Sequence, residues 1–354
     1  MKFNLKSILN LTWKVGLGLF GLVALVIGAL IVREWYDDTY GRDPWSDENL
    51  SKNVDVHFYN DYRVRLWDKQ AGRYVTPRLL WVSGEPERDS LTVYADMDGN
   101  RGYVNCNTGK IVIPAGKARY RHAWHFSEGR AFVVLPGEDS LSVIDYDGKV
   151  VARNVAPHYE GNDYVFENGL CELCKDGRYG LLSKDGTWAL EPAFFQIDTP
   201  NTFGYLRVRD EKGYWLLDKD LKKVFPDPYD HMSYAIGREE GAGTLYLTKN
   251  HVKQLVNYDG SVVEPFVIDS TYELKYIIRY NEEEADEYAL DPDLVVYRVD
   301  DWEGLMNKHT GRPVTPAIYT DFNMISKELI KAELDVNYEG EAVVMDRSGR
   351  VVKH

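Results

Sequence analysis

LLSKDGTWALEP, Leu181 to Pro192, is the stretch whose reading decides the fold. Two leucines run into Ser183, a residue type whose side chain bonds its own backbone two residues on and opens a turn. Gly186 follows, free to take the positive φ that a tight hairpin demands. Trp188 to Leu190 resumes an apolar-rich run, and Pro192 stops it, since proline cannot donate to a sheet ladder. The segment reads as one β-hairpin.

The same columns recur along the chain. The other copies are LWDKQAGRYVTP (Leu66 to Pro77), YVNCNTGKIVIP (Tyr103 to Pro114), VIDYDGKVVAR (Val143 to Arg153), LLDKDLKKVFP (Leu216 to Pro226), LVNYDGSVVEP (Leu255 to Pro265), LMNKHTGRPVTP (Leu305 to Pro316) and VMDRSGRVVKH (Val344 to His354). The polar column is Asp68, Asn105, Asp145, Ser183, Asp218, Asn257, Asn307 and Asp346. The glycine column is Gly72, Gly109, Gly148, Gly186, Gly260, Gly311 and Gly349, with Leu221 in the fifth copy. Successive positions in it lie 35 to 39 residues apart, apart from one step of 51. That step contains an acidic insertion, NEEEADEYALDPD, with Glu282, Glu283, Glu284, Asp286, Glu287, Asp291 and Asp293.

Runs such as RHAWHF, GRAFVVL, FGYLRVR and DLVVYRV lie between the hairpins and carry the β-branched and aromatic residues of strands. Each unit therefore has three or four short strands, and no long helix is expected after Val32. The fold class is all-β, a repeat-built β-propeller-like domain. Pairing the strand after the last turn with the strand around His57 to Trp67 predicts about seven blades, with six or eight as alternatives, and removes both open edges. An open β-solenoid is the alternative.

These columns resemble the bacterial WG-repeat family over about Asp55 to His354. FSEGRAFV (Phe126 to Val133) and YGLLSKDG (Tyr179 to Gly186) are the best copies, and Gly102, Gly180 and Gly304 keep the glycine of the name-giving pair in register. Gly213 lies two residues out. The tryptophan is mostly absent; Trp302 is near Gly304 but not adjacent to it. The resemblance implies a repeat-built β surface and no shared active site.

The N-terminus has its own signal. Val15 to Val32, VGLGLFGLVALVIGALIV, holds no charge and is long enough to cross a bilayer as one helix. Lys2, Lys6 and Lys14 precede it and an acidic stretch follows, which places the N-terminus inside and the remainder outside. The expected organisation is a cytoplasmic segment 1–14, a transmembrane signal-anchor 15–32, a polar stalk 33–54 and the repeat domain 55–354. The repeat domain would then be periplasmic or extracellular on a single-pass anchor in the cytoplasmic membrane. A cleaved signal peptide is the rival, but no small-residue cleavage site ends the run. Gly16, Gly18 and Gly21 match GxGxxG, but inside this run they lack the preceding strand that a dinucleotide site needs.

A net charge of -14 argues against nucleic acid as a partner, and 44% hydrophobic residues with 25 Tyr, 9 Trp and 12 Phe can fill a core. Cys171 and Cys174 have CxxC spacing, but on a strand residues three apart face opposite sides. His122 and His125 have the same spacing, so no metal is expected there. Asp96 to Asn100 and Asp145 to Gly148 read as turns, because the calcium-loop pattern would need its glycine later and a closing Glu. No catalytic motif and no cofactor site is found. The expected function is non-enzymatic binding or scaffolding, with the membrane and an envelope protein as partners and a glycan as a further possibility. The acidic residues Glu282, Glu283, Glu284, Asp286 and Glu287 are candidates for partner contact, because insertions in repeat arrays often sit on the binding face. The alternatives are a propeller hydrolase or lyase acting on envelope glycans, and a ligand sensor signalling through a membrane partner.

Overall fold

The computed structural model describes residues 20–33, 44–59, 62–84, 89–201, 203–235, 243–280, 287–334 and 341–353. Among these residues eight small sheets follow one another, each with its strands in chain order. The first holds β1 (Ser46–Asn49), β2 (Val54–Phe58), β3 (Val64–Asp68) and β4 (Arg73–Tyr74). The second holds β5 (Trp81–Val82), β6 (Leu91–Ala95), β7 (Arg101–Asn105) and β8 (Ile111–Ile113), and the third β9 (His122–Ala123), β10 (Ala131–Val134), β11 (Ser140–Ile144) and β12 (Val150–Pro157). β13 (Leu170–Lys175), β14 (Arg178–Ser183) and β15 (Trp188–Phe194) form the fourth; β16 (Gln196–Ile197), β17 (Leu206–Asp210) and β18 (Gly213–Leu217) the fifth. The sixth is β19 (His231–Tyr234), β20 (Thr244–Lys249), β21 (Val252–Asn257) and β22 (Val262–Glu264). The seventh is β23 (Ser270–Arg279), β24 (Glu287–Val299) and β25 (Trp302–Asn307), and the eighth β26 (Asp321–Met324), β27 (Leu329–Glu333), β28 (Ala342–Asp346) and β29 (Val351–Lys353).

Each polar-column residue opens the last turn of one sheet. Asp68 Oδ1 accepts from the backbone N–H groups of Gln70 and Ala71, both at 2.9 Å, and Asn105, Asp145, Asp218, Asn307 and Asp346 repeat this two residues on. Ser183 and Asn257 bond across their turns instead, to Thr187 and Ser261 at 2.8 Å. Every glycine in the column has positive φ, and Leu221 adopts φ 59° in the same place.

A second glycine set meets a different demand. A Cβ on Gly102 would stand 2.4 Å from the Ile113 carbonyl oxygen, one on Gly180 2.6 Å from that of Leu190, and one on Gly213 2.4 Å from that of Tyr229. At each, the chain leaving the repeat hairpin passes over the strand too closely for any side chain.

The strands read as continuous apolar runs because sheets pack on both faces. In β6, Leu91 and Val93 join Val133 and Ile144 of the third sheet, whereas Tyr94 joins Val56 and Leu66 of the first. In β10, Ala131 and Val133 face the second sheet while Phe132 and Val134 pack with Leu173 and Leu182 of the fourth. In the later part of the chain, Leu216 packs with Leu245 and Val256, and Val296 and Leu305 pack with Ile330 and Met345. The chain divides into two compact units, Met1–Pro192 and Ala193–His354, and the boundary falls within β15.

Three expectations are corrected. β1 pairs with β2, and the eighth sheet is complete in β26 to β29. The ends therefore do not combine into one blade; the eight sheets of the described residues are the upper end of the six to eight expected. The reason is β1 itself, an exposed polar strand, SDEN, inside the stretch read as a stalk. Leu50, 2% exposed, packs in the first core, so the sheet array begins before Asp55.

The membrane anchor is the third correction. Among the described residues no helix is long and apolar enough to cross a membrane. The helical stretch 20–33 spans about 21 Å at 1.5 Å per residue, against about 30 Å of hydrocarbon. Residues 15–19 of the apolar run lie outside the described residues. The single-pass topology, and with it the placement of the repeats outside the cytoplasmic membrane, is not supported.

Candidate functional site

Two features of the described residues offer more than a packed turn. In the first unit, the segment linking β12 to β13 lies across residues 122–125. Trp124 Nε1 donates to the Asn162 carbonyl at 2.8 Å, and the Trp124 ring meets Tyr164 edge-on with centroids 4.9 Å apart. Tyr159 N donates to the Tyr164 hydroxyl at 2.7 Å, which braces the loop internally, and Phe166 N donates to Ser127 Oγ at 2.8 Å.

This arrangement borders an open cavity of about 500 Å³ lined by Arg101, His122, Trp124, His125, His158 and Glu160. A second, of about 640 Å³, is lined by Tyr159, Tyr164, Cys174 and Tyr179, and shares Gly161, Asn162 and Asp163 with the first. Arg101 Nη1 donates to His122 Nδ1 at 3.2 Å. Arginine has no acceptor, so the His122 proton sits on Nε2. His158 Nδ1 donates to the Asp139 carbonyl at 3.2 Å. The two imidazoles lie 4.8 Å apart. Burial, then Arg101, His158 and Arg121, push the His122 pKa down against the opposing pull of Glu160. His122 is therefore neutral at physiological pH.

His122 and His125 were expected on opposite sides. β9 ends at Ala123, strand alternation lapses there, and both line the same cavity. No group of three His, Cys, Asp or Glu able to hold a metal occurs among the described residues. Cys171 and Cys174 do face opposite ways along β13: Cys171 is in the core, its thiol pushed up to about 12 by burial, and Cys174 lines the second cavity. Both are free thiols, as is Cys106. Asp96 closes its turn by accepting from the N–H groups of Asp98 and Asn100 at 3.0 Å.

The second feature is the hairpin β23–β24 of the later unit, longer than the repeat hairpins. Of the acidic candidates, Glu282, Glu283, Glu284 and Asp286 lie outside the described residues, and Glu287 opens β24 opposite Arg279. Ile277 faces Tyr288 and Lys275 faces Leu290 across the strands, with the Lys275 ammonium 4.9 Å from the Tyr288 ring centre. Ile277, Ile278, Tyr280, Tyr288 and Leu290 are 49–73% exposed. Tyr272, Ile277 and Tyr288 line a cleft of about 400 Å³ with Asp321 and Phe322 of β26.

Asp291 and Asp293 lie on β24, the first buried and the second exposed. Asp291 is 0% exposed and holds Arg347, which also reaches Asp293 at 3.0 Å. Sequence reading passed over Arg101, Trp124 and His158 as well. They come from three separate segments, and the aromatic run RHAWHF was their only local signal.

No family model and no curated protein matches the chain. Among solved structures it is similar to a eukaryotic initiation factor, 12% identical, covering 82% of this chain and 81% of that one with a TM-score of 0.30. It is also similar to BamB from Moraxella catarrhalis (11% identity, 82% and 93% coverage, TM-score 0.28) and to AztD from Citrobacter koseri (13% identity, 82% and 91% coverage, TM-score 0.24). At these identities and scores, the chain's own eight sheets define its architecture.

Proposed function

We propose that the protein is a non-enzymatic binding protein, its eight sheets the blades of a propeller-like array of WG-type repeats, and that it engages a partner protein through the β23–β24 hairpin. The observation that carries this reading is the hairpin's apolar side chains, exposed in water on a segment that breaks the repeat period. An apolar edge strand invites self-association. The acidic run Glu282 to Glu287, which joins the two strands in sequence, opposes that, because self-association would bring like charges together. The occupant that satisfies both features is a different protein with an apolar groove rimmed by Lys and Arg.

The test uses the full chain and the paired change Ile278→Asp with Tyr280→Asp, both at exposed positions. Wild type should retain a partner with such a groove, release it as salt rises, and lose it with the variant. Retention of the same protein, at the same salt, by a folded variant would remove the hairpin from the interface.

A further inference from the structure

Arg101 stands at the first position of β7, partly buried, on the wall of the 500 Å³ cavity. Among the described residues no carboxylate lies within ion-pair distance of its guanidinium. Its side-chain contacts are the neutral His122 Nδ1 at 3.2 Å and the Trp81 ring at 5.9 Å. Two other shielded guanidiniums have carboxylate partners: Arg207 pairs with Asp198 at 2.5 Å, and Arg347 with Asp291 and Asp293. Arg65 and Arg130 instead donate to backbone carbonyls, a satisfaction that Arg101 lacks among the described residues. Burial lowers the Arg101 pKa, which means that its surroundings work against the charge. A cation partly withdrawn from water weakens the fold when no carboxylate is close enough to pair with it, and Glu160 and Asp163 of the same cavity stand beyond that distance. Such a group is retained where something that binds later completes it.

We infer that this cavity binds a monocarboxylate with a flat or apolar body, the carboxylate seated on Arg101 and the body against Trp124. The donors suit that group: the guanidinium fork and His122 Nε2–H can serve both carboxylate oxygens. Glu160 and Asp163 also line the cavity, so a second negative charge on the ligand meets repulsion. This selects a singly charged carboxylate over a phosphate dianion. The volume suits a small organic molecule. The inference does not depend on the hairpin.

The experiment titrates the full chain with phenylacetate, indole-3-acetate and octanoate, read by tryptophan fluorescence and melting temperature. Phenylacetamide and inorganic phosphate are the opposing probes. At least one carboxylate should give a saturable response, with the amide and phosphate weaker by about tenfold or more. Arg101→Gln should weaken the carboxylate by a similar factor while its unliganded melting temperature equals or exceeds wild type. The paired Arg207→Gln, measured alongside, should melt lower. The inference is overturned if none of the three carboxylates gives a response that depends on Arg101, or if the amide binds as tightly. It also fails if Arg101→Gln is destabilised as much as Arg207→Gln, because the guanidinium is then a structural group.

Discussion

Replacing Arg347 with methionine would isolate the contact that fastens the base of the projecting hairpin. Arg347 lies in the turn between β28 and β29 and reaches Asp291 on β24 through Nη1 and through Nη2, the latter at 2.9 Å from Oδ1. Asp291 Oδ1 also accepts the backbone N–H groups of Asp293 and Leu294 at 2.9 and 2.8 Å. With the guanidinium gone, a carboxylate at 0% exposure keeps only those two donors. Removing one partner of a buried pair costs about 3–5 kcal/mol, and the partial exposure of Arg347 argues for the lower end, about 3 kcal/mol. Adding Asp291→Asn keeps the acceptor for both N–H groups and removes the charge, so the double variant should lie within about 1 kcal/mol of wild type. Urea unfolding of the full chain, followed across pH, checks this. The Asp291 pKa lies below its ordinary value of 3.8, as the Arg347 and backbone hydrogen bonds outweigh its burial. Its contribution is therefore present above 3.8 and is lost as pH falls through the depressed folded value. In Arg347→Met the same carboxyl loses the guanidinium that holds its pKa down, so the gap to wild type is widest at neutral pH and narrows toward acid. A gap that is constant with pH, or a double variant as unstable as the single one, would refute the reasoning.

Leu221→Gly should stabilise the chain by about 1 kcal/mol, because Leu221 holds φ 59° where the other copies have glycine and a left-handed L-residue costs about 1–2 kcal/mol. Thermal melting checks it; a lower melting temperature would mean that the half-buried leucine side chain matters more than its backbone. Gly180→Ala should destabilise by about 2 kcal/mol or more, since the added Cβ would lie 2.6 Å from the Leu190 carbonyl oxygen and 2.7 Å from Pro192 N, backbone atoms with little freedom to move. Lys253→Met should cost about 3 kcal/mol, because Lys253 is 7% exposed and its ammonium bridges Asp269 at 2.7 Å and Asp300 at 2.8 Å. A denaturation midpoint unchanged from wild type would show that the two carboxylates find other compensation.

The repeat was legible because two of its columns answer to local rules. An Asx or Ser turn needs the polar residue, and the positive φ needs glycine, so both can be read without knowing what the hairpin packs against. The glycines at 102, 180 and 213 were legible only as a family resemblance. Their reason is the backbone that crosses over them, and no local pattern announces a crossing chain. β1 escaped notice because SDEN has no apolar face to alternate.

The acidic insertion is the most instructive failure. Along the sequence Asp291 and Asp293 look continuous with Glu282 to Glu287, and a solvated loop is the natural reading. Their partner, Arg347, is more than fifty residues away and belongs to the last repeat turn, so a buried anchor and a solvated charge have the same local sequence. The same holds in reverse for Arg101. It looks like one charge among 42 Lys and Arg until the fold sets it against a cavity wall with no carboxylate of the described residues within ion-pair distance. In both cases what separates a structural charge from an available one is whether the tertiary fold delivers its counter-ion. That is why the Asp291–Arg347 pair should yield a stability change on substitution, and Arg101 a change in binding.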